Sequence, residues 1–214
     1  MVKRDPEVQA YLAGGDDVLA AMGYTEHGQR HASLVSSIAK NILERLGFPS
    51  RDSELAAIAG YLHDIGNVVS RHEHEQVGGL VAMRVLGRLG MGPSEVATVV
   101  AAIGNHGEDI GEPVNNIGAA LLLADKSDVH RSRVRQADIS TFDIHDRVNY
   151  AAEHSFLRVD EKRKAVALEL KIDTKISPVM DYFEIFLTRM VLCRRAAAFL
   201  GCDFELVING VKLL

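Results

Sequence analysis

The chain has 214 residues, 47% of them hydrophobic and 25% charged, with a net charge of -5 and a pI near 6.0. That length holds one full core, or one main domain with a small addition. The acidic balance argues against an extended nucleic-acid surface, and no apolar run approaches the roughly 18 residues a membrane span requires. Two cysteines, Cys193 and Cys202, lie in or just past an apolar helix, so buried thiols are expected rather than a disulfide framework or thiolate metal ligands. The opening "MVKRDPEV" carries no apolar run of the kind that targets a chain, and a cytoplasmic protein is the expectation.

In chain order, residues 6 to 22 read as one or two short helices broken at Gly14-Gly15. His27 to Leu46 reads as a long amphipathic helix, with His31, Val35, Ile38 and Ile42 on one face and Gly47 as its stop. Ser50 or Asp52 is expected to cap the next helix, which runs to about Ile65 and stops at Gly66. Residues 73 to 89 make a further helix, and Pro93 suits the first turn of another that runs to about Gly104. "GNHGEDIGEPVN" is a loop, and "NIGAALLLADKSDV" is a helix that is almost wholly apolar until Asp125.

The pattern then changes. After the basic stretch "HRSRVRQ" and one more helix from about Phe142, "SFLRVD" and "AVALELKID" alternate with period two, which puts Val166, Leu168, Leu170 and Ile172 on one strand face. Ser177-Pro178 opens a long helix that ends at Gly201, and "FELVI" closes the chain as a third strand. The expected architecture is mainly α: a helical body over residues 1-140 and a small C-terminal α+β segment over 141-214. That segment has three open roles, namely covering a site, dimerising through an exposed strand edge, or binding a partner.

The chemistry concentrates in nine histidines. His-Asp occurs twice, at His63-Asp64 and at His145-Asp146, and the dipeptide alone is a weak signal. The second copy sits in the polar stretch "TFDIHDRVN" and reads as a decoy. The first ends the apolar stretch "LAAIAGYL", where a buried charge needs a partner such as a metal ion. Neutral imidazole and carboxylate suit iron, manganese, zinc, cobalt or nickel without choosing among them. A carboxylate can bridge two ions about 3.5-4 Å apart, and Asp64 is placed for that role, with His31, His63, His74, His106 and Asp125 as candidate ligands. His72 competes with His74, because two residues apart on a helix face nearly opposite ways. His74 is preferred because Val77, Leu80 and Val81 continue its apolar stripe.

The segments "HASLVSSIA", "AGYLHDIGN", "HEQVGG", "GNHGED" and "LLLADKSD", in this order, resemble the HD-domain superfamily of metal-dependent phosphohydrolases, in its two-metal branch, over about residues 20 to 135. The resemblance implies an HD-type helical bundle and two divalent ions. His31, His63, Asp64 and Asp125 would hold the first ion and His74 and His106 the second, with Asp64 shared and a bridging hydroxide as nucleophile. Two departures narrow the implication. Asn67 stands where the family often has lysine, and the loop after His106 lacks the Gly-Tyr-Pro triplet of the cyclic-dinucleotide branch.

Cations near the metals are needed for a phosphate ester, and Lys126 and Arg131 are the nearest in sequence, as catalytic and substrate-binding candidates. Asn67 and Glu108 are further candidate substrate contacts. Asp128, one turn after Asp125, is a candidate for orienting Lys126 or for a place near the site, and His27 is either a residue behind the ligands or a solvated one. The expected function is hydrolysis of a nucleotide or other small phosphate ester. The alternatives are a di-iron oxygenase built on the same ligand order and a metal-binding regulatory module. A homo-oligomer is left open.

Overall fold

The computed structural model describes residues 1-108, 111-136 and 138-214. Asp109 and Ile110, which belong to the loop predicted after the fifth helix, lie outside the described residues. Six helices come first: α1 (Pro6–Ala21), α2 (Gln29–Arg45), α3 (Ser50–Leu62), α4 (His74–Arg88), α5 (Pro93–Gly104) and α6 (Asn116–Lys126). A short α7 (Ile144–Ala151) leads into β1 (Ala152–Asp160) and β2 (Ala165–Ile172), and α8 (Val179–Phe199) connects these to β3 (Asp203–Ile208) and β4 (Val211–Lys212).

Helix α6 is the axis of the body. Every residue from Ile117 to Ala124 is buried, as its nearly continuous apolar sequence demands, and α2, α3, α5 and α8 pack around it. The sheet has the order β1-β2-β3-β4. Its first and last pairs are antiparallel, while β2 and β3 run parallel with α8 as the crossover, so Leu168 stands beside Leu206. The predicted inward face of β2 is buried at Val166, Leu168, Leu170 and Ile172. One continuous hydrophobic core runs from Val8 and Leu43 in the body to Phe186, Met190 and Leu206 in the C-terminal segment, across the 140/141 boundary.

Three local expectations change. Gly14-Gly15 does not break α1, whose N-terminus is capped by Asp5 accepting from Val8 N at 3.2 Å. A Cβ at Gly15 would stand 3.1 Å from Val68 N, so the glycine lets α1 press against the 3₁₀ turn Ile65–Val68. Helix α3 starts after Pro49 with no side-chain cap, and it ends at Leu62 rather than Ile65. There the His63 ring Nδ1 donates to the Gly60 carbonyl at 2.9 Å, one of those a helix end leaves unsatisfied. Gly66 does not stop the helix. It is the point where the 3₁₀ turn touches the start of α4, and a Cβ there would overlap the His74 carbonyl oxygen. The two-residue strand β4 and the parallel β2-β3 pairing carry no clear sequence signal.

Candidate metal centre

Five helix ends converge. His31 lies in the first turn of α2, His63 and Asp64 follow the last turn of α3, His74 opens α4, His106 follows α5, and Asp125 sits in the last turn of α6. Glu73, just before His74, has φ 56°, a left-handed conformation that non-glycine residues adopt at a cost. His31, His63, Asp64, His74 and His106 are buried, and the Asp125 side chain is 12% exposed.

The tautomers follow from the partners. His63 Nδ1 faces the Gly60 carbonyl, and His106 Nδ1 lies 2.6 Å from the Ile103 carbonyl. His74 Nδ1 lies 3.1 Å from the Arg71 carbonyl and 3.0 Å from Glu75 Oε2. His31 Nδ1 lies 2.7 Å from Asp128 Oδ2. Carbonyls and carboxylates only accept, so each Nδ1 carries a hydrogen, and each Nε2 has a lone pair when its ring is neutral.

Those lone pairs point at carboxylates, which are acceptors too. His31 Nε2 lies 3.1 Å from His63 Nε2, 3.2 Å from Asp125 Oδ1 and 3.6 Å from Asp64 Oδ2. His63 Nε2 lies 3.2 Å from Asp64 Oδ2 and 3.6 Å from Asp125 Oδ1. Donor atoms bound at about 2.0-2.2 Å to one ion stand roughly 3-3.6 Å apart, the same range. On the other side, Asp64 Oδ1 is 3.3 Å from His74 Nε2 and 3.9 Å from His106 Nε2. Asp64 Oδ2 is buried and takes no hydrogen bond among the described residues. A buried convergence of imidazole nitrogens on carboxylates, with Asp64 Oδ2 left unbonded, fits a cation. Among the described residues, two groups could hold a metal ion with ligand atoms within 4.8 Å of one another: His31, His63 and Asp125, and His63, Asp64 and His106.

The electrostatics express the same demand for positive charge: where no cation neutralises them, Asp64 and Asp125 favour a proton on His63. Burial disfavours charge on His63, but Asp64 and Asp125 outweigh it and raise the imidazole to about 10. Burial opposes ionisation of Asp64 and Asp125 as well. Even so, His63 and His74 hold Asp64, and Lys126, His31 and His63 hold Asp125, well below the usual carboxylate range. Burial and the positive charges around it push His106 down to about 3, which keeps its lone pair free.

The remaining candidates separate. Lys126 is buried beside the ligands, with Nζ 2.7 Å from Asp125 Oδ2. Asn67 is buried and donates Nδ2 to Asp64 Oδ1 at 3.0 Å, so it orients the carboxylate instead of facing substrate. Of the two options for Asp128 the place near the site holds: it orients His31 rather than Lys126, and is itself held by Arg30 Nη2 at 2.8 Å. Arg131 does not line the site. Its guanidinium stacks over Tyr150, 5.3 Å from the ring centre, and faces Glu153 at 3.5 Å, because the chain turns away from α6 before reaching it. His27 does line the site, its ring 5.5 Å from that of His31, while His72 is exposed at the rim.

Asp64, His74, His106, Asp125 and Lys126 open onto a cavity of about 550 Å³. Its outer wall includes Asn149 and the His145-Asp146 pair of α7, and Phe186 and Arg189 of α8, so the C-terminal segment covers the site. Arg189 was not anticipated, because a lone arginine on a mainly apolar helix looks like a solvated residue. Both cysteines are buried apart from the cavity wall, and burial pushes the Cys193 thiol up to about 12. Among the described residues, no helix is long and apolar enough to cross a membrane.

The match to the HD domain covers residues 29–183, more than half of the chain. The protein belongs to the HD-domain family, whose members are in general metal-dependent phosphohydrolases that bind divalent ions. No curated protein matches the chain.

Proposed function

We propose that the protein hydrolyses a nucleotide or other small phosphate ester with two divalent ions. His31, His63, Asp64 and Asp125 would hold the first ion, His74 and His106 the second, and Asp64 would be shared. The observation that carries this reading is the convergence of four imidazole Nε2 atoms on Asp64 and Asp125, with Asp64 Oδ2 buried and unbonded among the described residues. The sharing is supported by Asp64 itself, whose Oδ2 faces His31 and His63 and whose Oδ1 faces His74 and His106. When bound, divalent ions supply an acidified water as nucleophile and neutralise charge on phosphoryl oxygens.

The chain's own residues do the rest. Asp128 and the Gly60, Arg71 and Ile103 carbonyls hold the four rings in the metal-binding tautomer. Asn67 fixes the Asp64 carboxylate. Lys126, buried between Asp125 and the cavity, offers a cation to the phosphoryl group, a feature a hydrolase needs more than an oxygenase does.

Elemental analysis of protein purified without chelator, coupled to a screen of phosphate esters with Mn, Fe, Co, Ni and Zn, tests the reading. About two ions per chain and metal-dependent phosphate release are expected. Iron with a mixed-valence electron-spin signal and no phosphate release would instead establish the oxygenase.

A further inference from the structure

The cavity holds an ion pair that the metal centre does not require. Glu108, two residues past His106, directs Oε1 at Arg189 Nη2, 2.6 Å away, and the same oxygen lies 3.9 Å from Lys126 Nζ. All three line the cavity together with Asp64, His74, His106 and Asp125. The guanidinium of Arg189 lies over the ring of Phe186, 4.3 Å from its centre, and Phe186 is itself fully buried, so the plane of the fork is fixed. Only half of the fork is used. Arg189 Nε is buried and has no hydrogen-bond partner among the described residues, while Glu108 spends one oxygen on two cations. An arginine fork matches a bidentate oxyanion, and a phosphate monoester dianion brings three oxygens and two charges where Glu108 brings one charge.

We infer that Arg189 and Lys126 form an anion subsite beside the metal centre, that Glu108 is its internal placeholder, and that the phosphate of a monoester displaces Glu108 when substrate binds. This deepens the phosphohydrolase reading and rests on it for the identity of the ligand. A diester carries one charge fewer and one free oxygen fewer, so two cations beyond the metals discriminate in favour of monoesters. The rival role for the pair is a strut that ties the loop after α5 to α8. The two roles give opposite signs for one substitution. Removing the charge of a placeholder strengthens anion binding, whereas removing half of a strut weakens it or leaves it alone.

The experiment measures binding of inorganic phosphate by calorimetry to the Mn-loaded full chain, as wild type and as Glu108→Gln, Arg189→Met and Arg189→Lys. Thermal melts by circular dichroism verify that each variant is folded. Phosphate is expected to bind about tenfold more tightly to Glu108→Gln and about 10- to 100-fold more weakly to Arg189→Met, with Arg189→Lys in between. In parallel, the Arg189→Met substitution should lower kcat/KM for a nitrophenyl phosphate monoester by a similar factor and for the matching diester by less than about threefold. Unchanged or weaker phosphate binding in Glu108→Gln, or unchanged binding in Arg189→Met, overturns the subsite. If the binding pattern holds while wild type hydrolyses neither ester, the subsite stands and the hydrolase reading falls.

Discussion

His63-Asp64 and His145-Asp146 are the same two residues in the same order, both near a helix end, with Asp64, His145 and Asp146 on the wall of one cavity. At the first, His63 is fully buried, its Nδ1 is tied to a carbonyl, and Asp64 faces four imidazole nitrogens. At the second, His145 is exposed, and Asp146 has its backbone amide bonded to the N-cap residue Asp143. The neighbours invert the acidity of the two carboxyls. Partial burial and the Asp143 charge raise Asp146, whereas His63 and His74 lower Asp64 in spite of its deeper burial. A dipeptide thus acquires chemistry from what other helices bring to it. Three histidines from α2, α4 and the end of α5 reach the first pair, and among the described residues the second belongs to no group able to hold a metal.

The contrast can be broken most severely at residue 64. Asp64→Ala should reduce bound metal to trace levels and lower metal-dependent turnover by more than about 10³-fold, while Asp146→Ala leaves the metal content unchanged; mass-spectrometric metal analysis beside the activity assay decides. Lys126→Met should lower kcat by about 10²-fold with metal retained, whereas Arg131→Met, which loses only its contacts to Tyr150 and Glu153, should stay within about twofold. Asp128→Asn, which removes the acceptor behind His31, should weaken metal affinity by about 10- to 100-fold in a chelator competition. The smallest effect belongs to His145→Ala. A change of less than about threefold in KM, with kcat and melting temperature held, is the expected outcome, and a loss of kcat comparable to that of Lys126→Met would return His145 to the active machinery.

Packing around the first pair offers a separate measure of how tightly it is built. Gly66→Ala forces a methyl into the start of α4, where the His74 carbonyl and the Gly78 amide leave no room. It should cost about 2-4 kcal/mol in denaturant unfolding, more than typical overpacking of a side-chain neighbour, because backbone atoms cannot rotate away.

Much of this was legible in the chain. An apolar helix that ends in His-Asp, and further histidines and an aspartate at later helix boundaries, are local features of pattern and punctuation. The choice of His74 over His72 agrees with the buried contact to Asp64, but the stripe invoked for it was wrong in part: Leu80 is 66% exposed, and the inward face of α4 is Gly78, Ala82 and Val85. Glycines carry no hydropathy signal, so the close approach that puts His74 on Asp64 was invisible. Sequence neighbours pointed Asp128 at Lys126 as one option, and the family's lysine suggested a substrate contact for Asn67, which instead donates to Asp64 three residues away. Asp128 in fact serves a ring 97 residues away.

By itself the sequence determined the helical body, the order of its candidate ligands and the change to strands after residue 150, because periodicity and helix punctuation report which way each side chain faces within its own element. Only the tertiary structure decided which ring nitrogens are free, which carboxylate oxygen meets which imidazole, and that Arg189 of α8 stands over the cavity in place of Arg131. Those are matters of helix crossing and hydrogen-bond direction, and they arise from contacts between elements that no local pattern encodes.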